Sequence, residues 1–292
     1  MKLRILDQEK VKKAISIQEA IQIVREIYKT IYRKEAVLLL RTQLSVEKEK
    51  GRCLFMPAFI PSKKALGTKI ISIFPGNLRK KLPTVQALIM IMDDETGIPI
   101  ALMDGAFITA LRTGAASGVA TELLARKSAR VASIFGAGRQ GKTQLEAVCA
   151  VREIQKAWIY DPDQKAAEAL LKEIKQEGSH LKGEIQIADS SSQALSEADI
   201  ICTATTSYRP VFSDKELKEG THINGIGSFT PEMQEIPTKT VLRAKIVVDS
   251  LSACWKRQEI YLFLSARDCS LLPKFTGKSE KSPLAYFPEE RI

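Results

Sequence analysis

Histidine is almost missing from this chain: among 292 residues only His180 and His222 occur, and neither stands at metal-ligand spacing, so no metal site is expected. The cysteines Cys53, Cys149, Cys202, Cys254 and Cys269 are odd in number and form no C-x-x-C pair, which excludes a disulfide scaffold and fits reduced, mostly buried thiols. Long apolar runs are also lacking. The longest nearly unbroken one, Ala87 to Met92, is far shorter than the ~20 residues that cross a bilayer, and the N-terminus Met1-Lys2-Leu3-Arg4-Ile5-Leu6-Asp7 has no signal-peptide core. A soluble, cytoplasmic protein with no membrane partner is expected. The net charge of +10 comes from Lys and Arg scattered among acids, without a basic stripe carrying aromatics, so nucleic acid is not an expected partner. Part of that charge suits small anionic ligands instead. No internal repeat or low-complexity tract is visible.

What is present is a chain long enough for two domains, with 45% hydrophobic residues to build their cores. Its most informative stretch is the apolar run Val131 to Phe135 followed by Gly136-Ala137-Gly138-Arg139-Gln140-Gly141. This is the spacing G-x-G-x-x-G. Gly136 permits a tight strand-to-helix turn, Gly138 lets backbone amides approach a pyrophosphate, and Gly141 allows close helix packing. The anion then meets the positive end of a helix dipole. Lys156-Ala157-Trp158-Ile159-Tyr160 reads as the next strand, and Asp161 ends it twenty residues after the last glycine. A carboxylate there accepts hydrogen bonds from an adenosine ribose and repels a 2′-phosphate. NAD(H) is therefore favoured, with NADP(H) kept open because Lys165 lies nearby in sequence.

Around this motif the chain changes texture. Ser16-Ile17-Gln18-Glu19 is a capping box opening a helix with Ala20, Ile21, Val24, Ile27, Tyr28 and Ile31 at helical spacing. From Leu38 to Met103 strands dominate (Leu66 to Phe74, Val85 to Met92, Ile98 to Met103), which predicts a mostly antiparallel or mixed first domain. Phe107 to Lys127 reads as a helix rich in small residues. Beyond Ser128, strands (Val131 to Phe135, Ala157 to Tyr160, Glu184 to Ile187, Asp199 to Ala204, Thr221 to Ile226, Lys245 to Val248) alternate with helices such as Gln164 to Gln176. That alternation predicts an α/β fold with a Rossmann doubly wound parallel sheet beside an α+β domain. The expected domains are 1–115 for substrate binding and dimerisation, 116–254 for the dinucleotide, and an atypical tail at 255–292.

Hydride transfer needs cations to fix an anionic substrate and a group that handles a proton. Arg41, Lys69 and Arg112 are cations beside apolar or small residues, though any one alone reads better as a surface charge. Their neighbours add more. Arg41-Thr42-Gln43, Phe55-Met56-Pro57-Ala58, Gly67-Thr68-Lys69, Pro83-Thr84-Val85-Gln86-Ala87, Asp104-Gly105 and Leu111-Arg112-Thr113-Gly114-Ala115-Ala116-Ser117 occur in order. With the glycine motif and Ile226-Gly227-Ser228-Phe229-Thr230-Pro231-Glu232-Met233-Gln234-Glu235, they resemble the ornithine cyclodeaminase/mu-crystallin family over residues 1 to 254. The resemblance implies a homodimer of two-domain subunits acting on a small imino or amino acid in the cleft between the domains. It also implies that Arg41, Lys69 and Arg112 hold the substrate carboxylate and that Lys69 is the proton donor. Thr84 and Arg112 would lie against the nicotinamide, with Thr203, Ile226, Gly227, Ser228 and Phe229 on its border. Ala137, Arg139 and Gln140 would line the pyrophosphate between the glycines, and Asp161 would hold the ribose.

One departure narrows the chemistry. The family's cyclodeaminases and archaeal alanine dehydrogenases carry a catalytic aspartate shortly before the proline, where this chain has Phe229. Without that general base, reduction of a preformed cyclic imine, such as 1-pyrroline-2-carboxylate to L-proline, is the expected activity: an NAD(P)H-dependent ketimine reductase. Alanine dehydrogenase or ornithine cyclodeaminase activity stays open if Glu232 or Glu235 replaces the aspartate, as does a non-catalytic small-ligand or NAD-binding protein. The tail bears on the last alternative. Codons for Cys254 to Ile260 written tgc tgg aag agg cag gag ata spell Leu-Glu-Glu-Ala-Gly-Asp when read from the third base, as the family would at this point. A lost base near Cys254 would therefore have replaced the family's ending and could leave the protein inactive.

Overall fold

Asp7 and Ser16 start the first two helices in the computed structural model, which describes residues 2–39, 41–177, 183–228, 232–249, 262–265 and 284–286, the last two stretches as backbone alone. Phe229 and the proposed break near Cys254 lie outside the described residues. After β1 (Arg4–Leu6), the Asp7 carboxylate accepts from Lys10 N at 2.9 Å and opens α1 (Gln8–Ala14). Ser16 and Glu19 form the expected capping box of α2 (Ile17–Tyr32), with Ser16 N donating to Glu19 Oε2 at 2.8 Å and Glu19 N to Ser16 Oγ at 3.2 Å. The chain divides into two compact units, Met1–Arg112 and Thr113–Ile292, against the 115/116 expected from sequence.

In the first unit β2 (Val37–Leu38), β3 (Thr42–Val46), β4 (Gly51–Ile60), β5 (Ala65–Ile73), β6 (Val85–Met92) and β7 (Pro99–Asp104) join β1 in one mixed sheet. Its order is β1-β7-β6-β5-β4-β2, with β3 also on β4. β1 pairs parallel to β7, and the others pair antiparallel. Short 3-10 turns connect the middle strands, each closed by a lysine at positive φ: Lys50, Lys64 and Lys81. Asp104 then accepts from Phe107 N at 2.8 Å and starts α3 (Gly105–Leu124).

The second unit follows the predicted alternation: β8 (Val131–Phe135), α4 (Arg139–Val151), β9 (Lys156–Tyr160), α5 (Gln164–Gln176), β10 (Glu184–Ile187), α6 (Ser191–Leu195), β11 (Ile200–Thr203), β12 (His222–Gly225), α7 (Thr238–Arg243) and β13 (Lys245–Val248). β14 (Leu262–Ser265) and β15 (Leu284–Tyr286) complete a sheet of order β10-β9-β8-β11-β12-β14-β13-β15. The run β10-β9-β8-β11-β12 is parallel throughout, and β14 lies antiparallel between β12 and β13. Side chains alternate across this sheet as the pleat requires. Ala132, Ile134, Ala157, Ile159, Ile200 and Cys202 join a core with Leu145 and Val148 of α4 and Leu170 and Ile174 of α5. Phe135, Trp158, Ile201 and Ile223 join a second core with Ala194 and Leu195 of α6. Both faces being covered explains why these strands read as near-continuous apolar runs.

Candidate functional site

In the first unit, register places Lys69 of β5 opposite Met56 of β4 and Ile89 of β6, with Met103 of β7 continuing the row. An ammonium set between two apolar cross-strand neighbours loses hydration that neither replaces. Burial, helped by the nearby positive charges of Arg112 and then Arg41, brings the Lys69 pKa down from 10.5 to about 7. Lys69 is thus within electrostatic reach of both arginines expected to share a substrate carboxylate with it. Arg41 precedes β3 and Arg112 lies two turns into α3, so sequence distance gave no hint of their grouping. A cluster of like charge around an amine that titrates near neutrality can attract an anion and exchange a proton with it. Thr84, just before β6, is partly buried, and its carbonyl accepts from Phe74 N at 2.8 Å.

In the second unit the strand order reverses at β8 and β11, and the glycine motif follows the carboxyl end of β8, where such sheets bind dinucleotides. Gly136 has φ +103°, open to glycine, and a Cβ there would meet Ala204 O at 2.5 Å. A Cβ on Gly141 would collide with the Gly136 carbonyl, while the space beside Gly138 is open. Gly138 caps α4 without a side-chain hydrogen bond, and no acid occupies the first turn. The helix start therefore keeps its backbone donors and positive end for an anion. Arg139 is exposed there and Gln140 is partly buried. Asp161 directly follows β9, its Oδ2 accepting from Ala137 N at 2.8 Å and its Oδ1 from Asp163 N at 2.9 Å. Asp161 is thus fixed to the glycine turn itself. These residues fit a dinucleotide: a cradle that side chains would fill, an uncapped helix start, and a carboxylate at the strand end.

Thr203, fully buried at the end of β11, and Ile226, Gly227 and Ser228 after β12 stand at the carboxyl ends of neighbouring parallel strands. They are joined by Glu235, whose carboxylate accepts from Thr203, Thr205 and Gly227. By sequence Glu235 is a candidate replacement for the missing aspartate. Its lone pairs are committed to these donors, so it is no free base. Thr205 is invisible to sequence reasoning because nothing in Thr203-Ala204-Thr205-Thr206 marks it, and the sequence offered Glu235 as a base, not as an acceptor buried among these donors.

A parallel sheet with a glycine-rich turn and an acid at the end of its second strand defines a Rossmann dinucleotide-binding protein, here with a second α+β unit bearing a cationic cluster. The family model described as the ornithine cyclodeaminase/mu-crystallin family matches residues 1–279, and the chain belongs to that family. It is 36% identical over 250 residues to a Delta(1)-pyrroline-2-carboxylate reductase of Bacillus cereus, covering 85% of this chain and 76% of that protein. The solved structure of Thermococcus litoralis Delta(1)-pyrroline-2-carboxylate reductase in complex with NADH and L-proline is 42% identical. It superposes with a TM-score of 0.82 and covers 87% of this chain and 78% of that one. An archaeal alanine dehydrogenase dimer with bound NAD is 37% identical, with a TM-score of 0.79 and coverage of 87% and 76%.

Proposed function

We propose that this protein is an NAD(H)-dependent reductase that converts a cyclic imino acid, 1-pyrroline-2-carboxylate, to L-proline. The observation that carries this reading is Lys69, an amine titrating near neutrality beside two arginines. Arg41 and Arg112 hold the substrate carboxylate by charge, with donors that suit its planar geometry. Lys69 then gives its proton to the ring nitrogen. NADH, when bound, supplies the hydride that goes to the imine carbon, so the C=N bond becomes CH–NH with no leaving group. Gly136, Ala137, Gly138, Arg139, Gln140 and Gly141 seat the pyrophosphate and Asp161 the adenosine ribose. Thr203 and Ile226 to Ser228 border the nicotinamide. Asp161 disfavours a 2′-phosphate, which keeps NADPH the weaker donor. Alanine oxidation and ornithine cyclisation need a carboxylate base, and the engagement of Glu235 counts against both.

The working protein is a homodimer in this reading. On the sheet face opposite Lys69, Leu44, Phe55 and Leu88 of the first unit are 54%, 38% and 43% exposed, an apolar surface that a second copy would cover. The test of activity is NADH oxidation by purified protein with 1-pyrroline-2-carboxylate, with pyruvate plus ammonia, and with neither. Turnover of the imine, lost by about 10²–10⁴-fold in Lys69→Ala, is the expected result. Faster turnover of pyruvate plus ammonia, or NADH binding without any turnover, would overturn it.

A further inference from the structure

Glu235 is only 2% exposed and carries a carboxylate whose pKa is raised by burial, while its hydrogen-bond donors pull the other way. Oε1 accepts from Thr205 N at 2.6 Å and Thr205 Oγ1 at 2.8 Å; Oε2 accepts from Thr203 Oγ1 at 3.0 Å and Gly227 N at 2.7 Å. Two of these partners are backbone amides, which can only donate. The site therefore calls for an acceptor on both oxygens, which an ionised carboxylate provides and an amide does not. The glutamate is itself anchored: Val211 N donates to its carbonyl at 2.8 Å, and Gln234 N to Ser207 O at 3.1 Å. Approach is so close at Gly227 that a Cβ there would run into both Thr205 O and the Glu235 carboxylate.

One carboxylate thus joins the end of β11, the loop after it, and the loop after β12. All three segments lie at the carboxyl ends of the parallel strands where the order reverses, next to the residues assigned to the nicotinamide border. We propose that Glu235 is the positioning residue for the nicotinamide half of the cofactor: its carboxylate fixes the separation of Thr203–Thr205 from Ile226–Ser228, and with it the rim that seats the ring. This rests on the reading of the site as an NADH site. The adenosine half depends on the glycine turn and Asp161 and does not need the clamp.

In Glu235→Gln, whichever way the amide is turned, its NH2 faces either Thr205 N–H or Gly227 N–H, and that loop must withdraw. Titrations of NADH and of ADP-ribose, which lacks the nicotinamide, against the unsubstituted protein and Glu235→Gln separate the roles. The expected result is NADH affinity weakened about 10-fold or more, with ADP-ribose held within about 2-fold. Equal weakening of both ligands, or of neither, overturns the proposal. Should Glu235→Gln fail to fold, Thr203→Val and Thr205→Val each remove one hydroxyl donor and leave the carboxylate, and should give the same selective loss at about 3-fold. Imine turnover measured on the same samples keeps the two readings apart. Selective loss of NADH without turnover by the unsubstituted protein would sink the substrate assignment and leave the clamp standing; equal loss with turnover intact would do the reverse.

Discussion

Setting the Lys69 ammonium between Met56 and Ile89 opposes folding for as long as the amine stays charged. Below about pH 7 the lysine is protonated in both folded and unfolded chain, and the full cost of burying the charge is felt. Between about 7 and 10.5 the folded protein has released a proton that the unfolded chain still holds, so this contribution to stability rises with pH; above 10.5 the cost is gone. Lys69→Met should therefore raise the melting temperature at pH 6 by about 2 °C or more, the shift expected per kcal/mol for a chain of this size, with the gain fading toward pH 10.5. Paired thermal scans of the two proteins across pH test this, and a gain that does not depend on pH would refute the buried-charge account. The same group predicts the kinetic profile. A proton donor must be protonated in the free enzyme, so kcat/KM for imine reduction should fall as pH rises through about 7. A site that trades stability for a titrating amine is common where chemistry is done.

Helix ends show how tertiary contacts settle what local sequence leaves open. Local sequence places the long central helix at Phe107 to Lys127, whereas α3 runs Gly105–Leu124. Its start is set by Asp104 and its end by a residue from elsewhere, Arg152, which follows α4. Arg152 Nη2 donates to the carbonyls of Thr121, Glu122 and Ala125 at 2.9, 3.0 and 2.9 Å, and Nε to that of Arg126 at 3.2 Å. A guanidinium on the last-turn carbonyls answers both their missing partners and the negative end of the dipole. Arg152→Ala should lower stability by about 2–3 kcal/mol, or roughly 5–10 °C in calorimetry. A change below about 0.5 kcal/mol would mean that water serves the carbonyls equally well. The β3–β4 hairpin of the first unit was hidden for another reason. Lys50, Lys64 and Lys81 hold the left-handed positions where a glycine or asparagine would have marked a turn, so β3 and β4 had no visible boundaries. β8, α5, β10 and β13, by contrast, were legible to the residue, because apolar runs and the Asp163 cap, which accepts from Lys165 N at 3.1 Å, are local signals.

For the whole molecule, the proposed dimer rests on the apolar face of the first unit. Leu44, Phe55 and Leu88 share one side of the sheet by register, since Thr42, Phe55, Ile70 and Leu88 form one cross-strand row and Leu44 pairs with Cys53 two residues from Phe55. Light scattering should give twice the 32.4 kDa of the chain, and Leu88→Asp with Phe55→Asp should halve that mass without unfolding the second unit. A monomer at micromolar concentration in the unsubstituted protein would refute the dimer.

The sequence by itself determined the α/β class, the glycine turn with Asp161, and the parallel strands of the second unit, because each is written in neighbouring residues whose periodicity and spacing are the structure. Tertiary structure alone decided which cations meet and what Glu235 does. Lys69 is singled out from the other lysines by the strands beside it and by Arg41 and Arg112 from distant positions. Glu235 becomes a buried clamp because folding brings the ends of β11 and β12 to it. Burial and charge proximity are properties of space, and a linear chain does not carry them until it has folded.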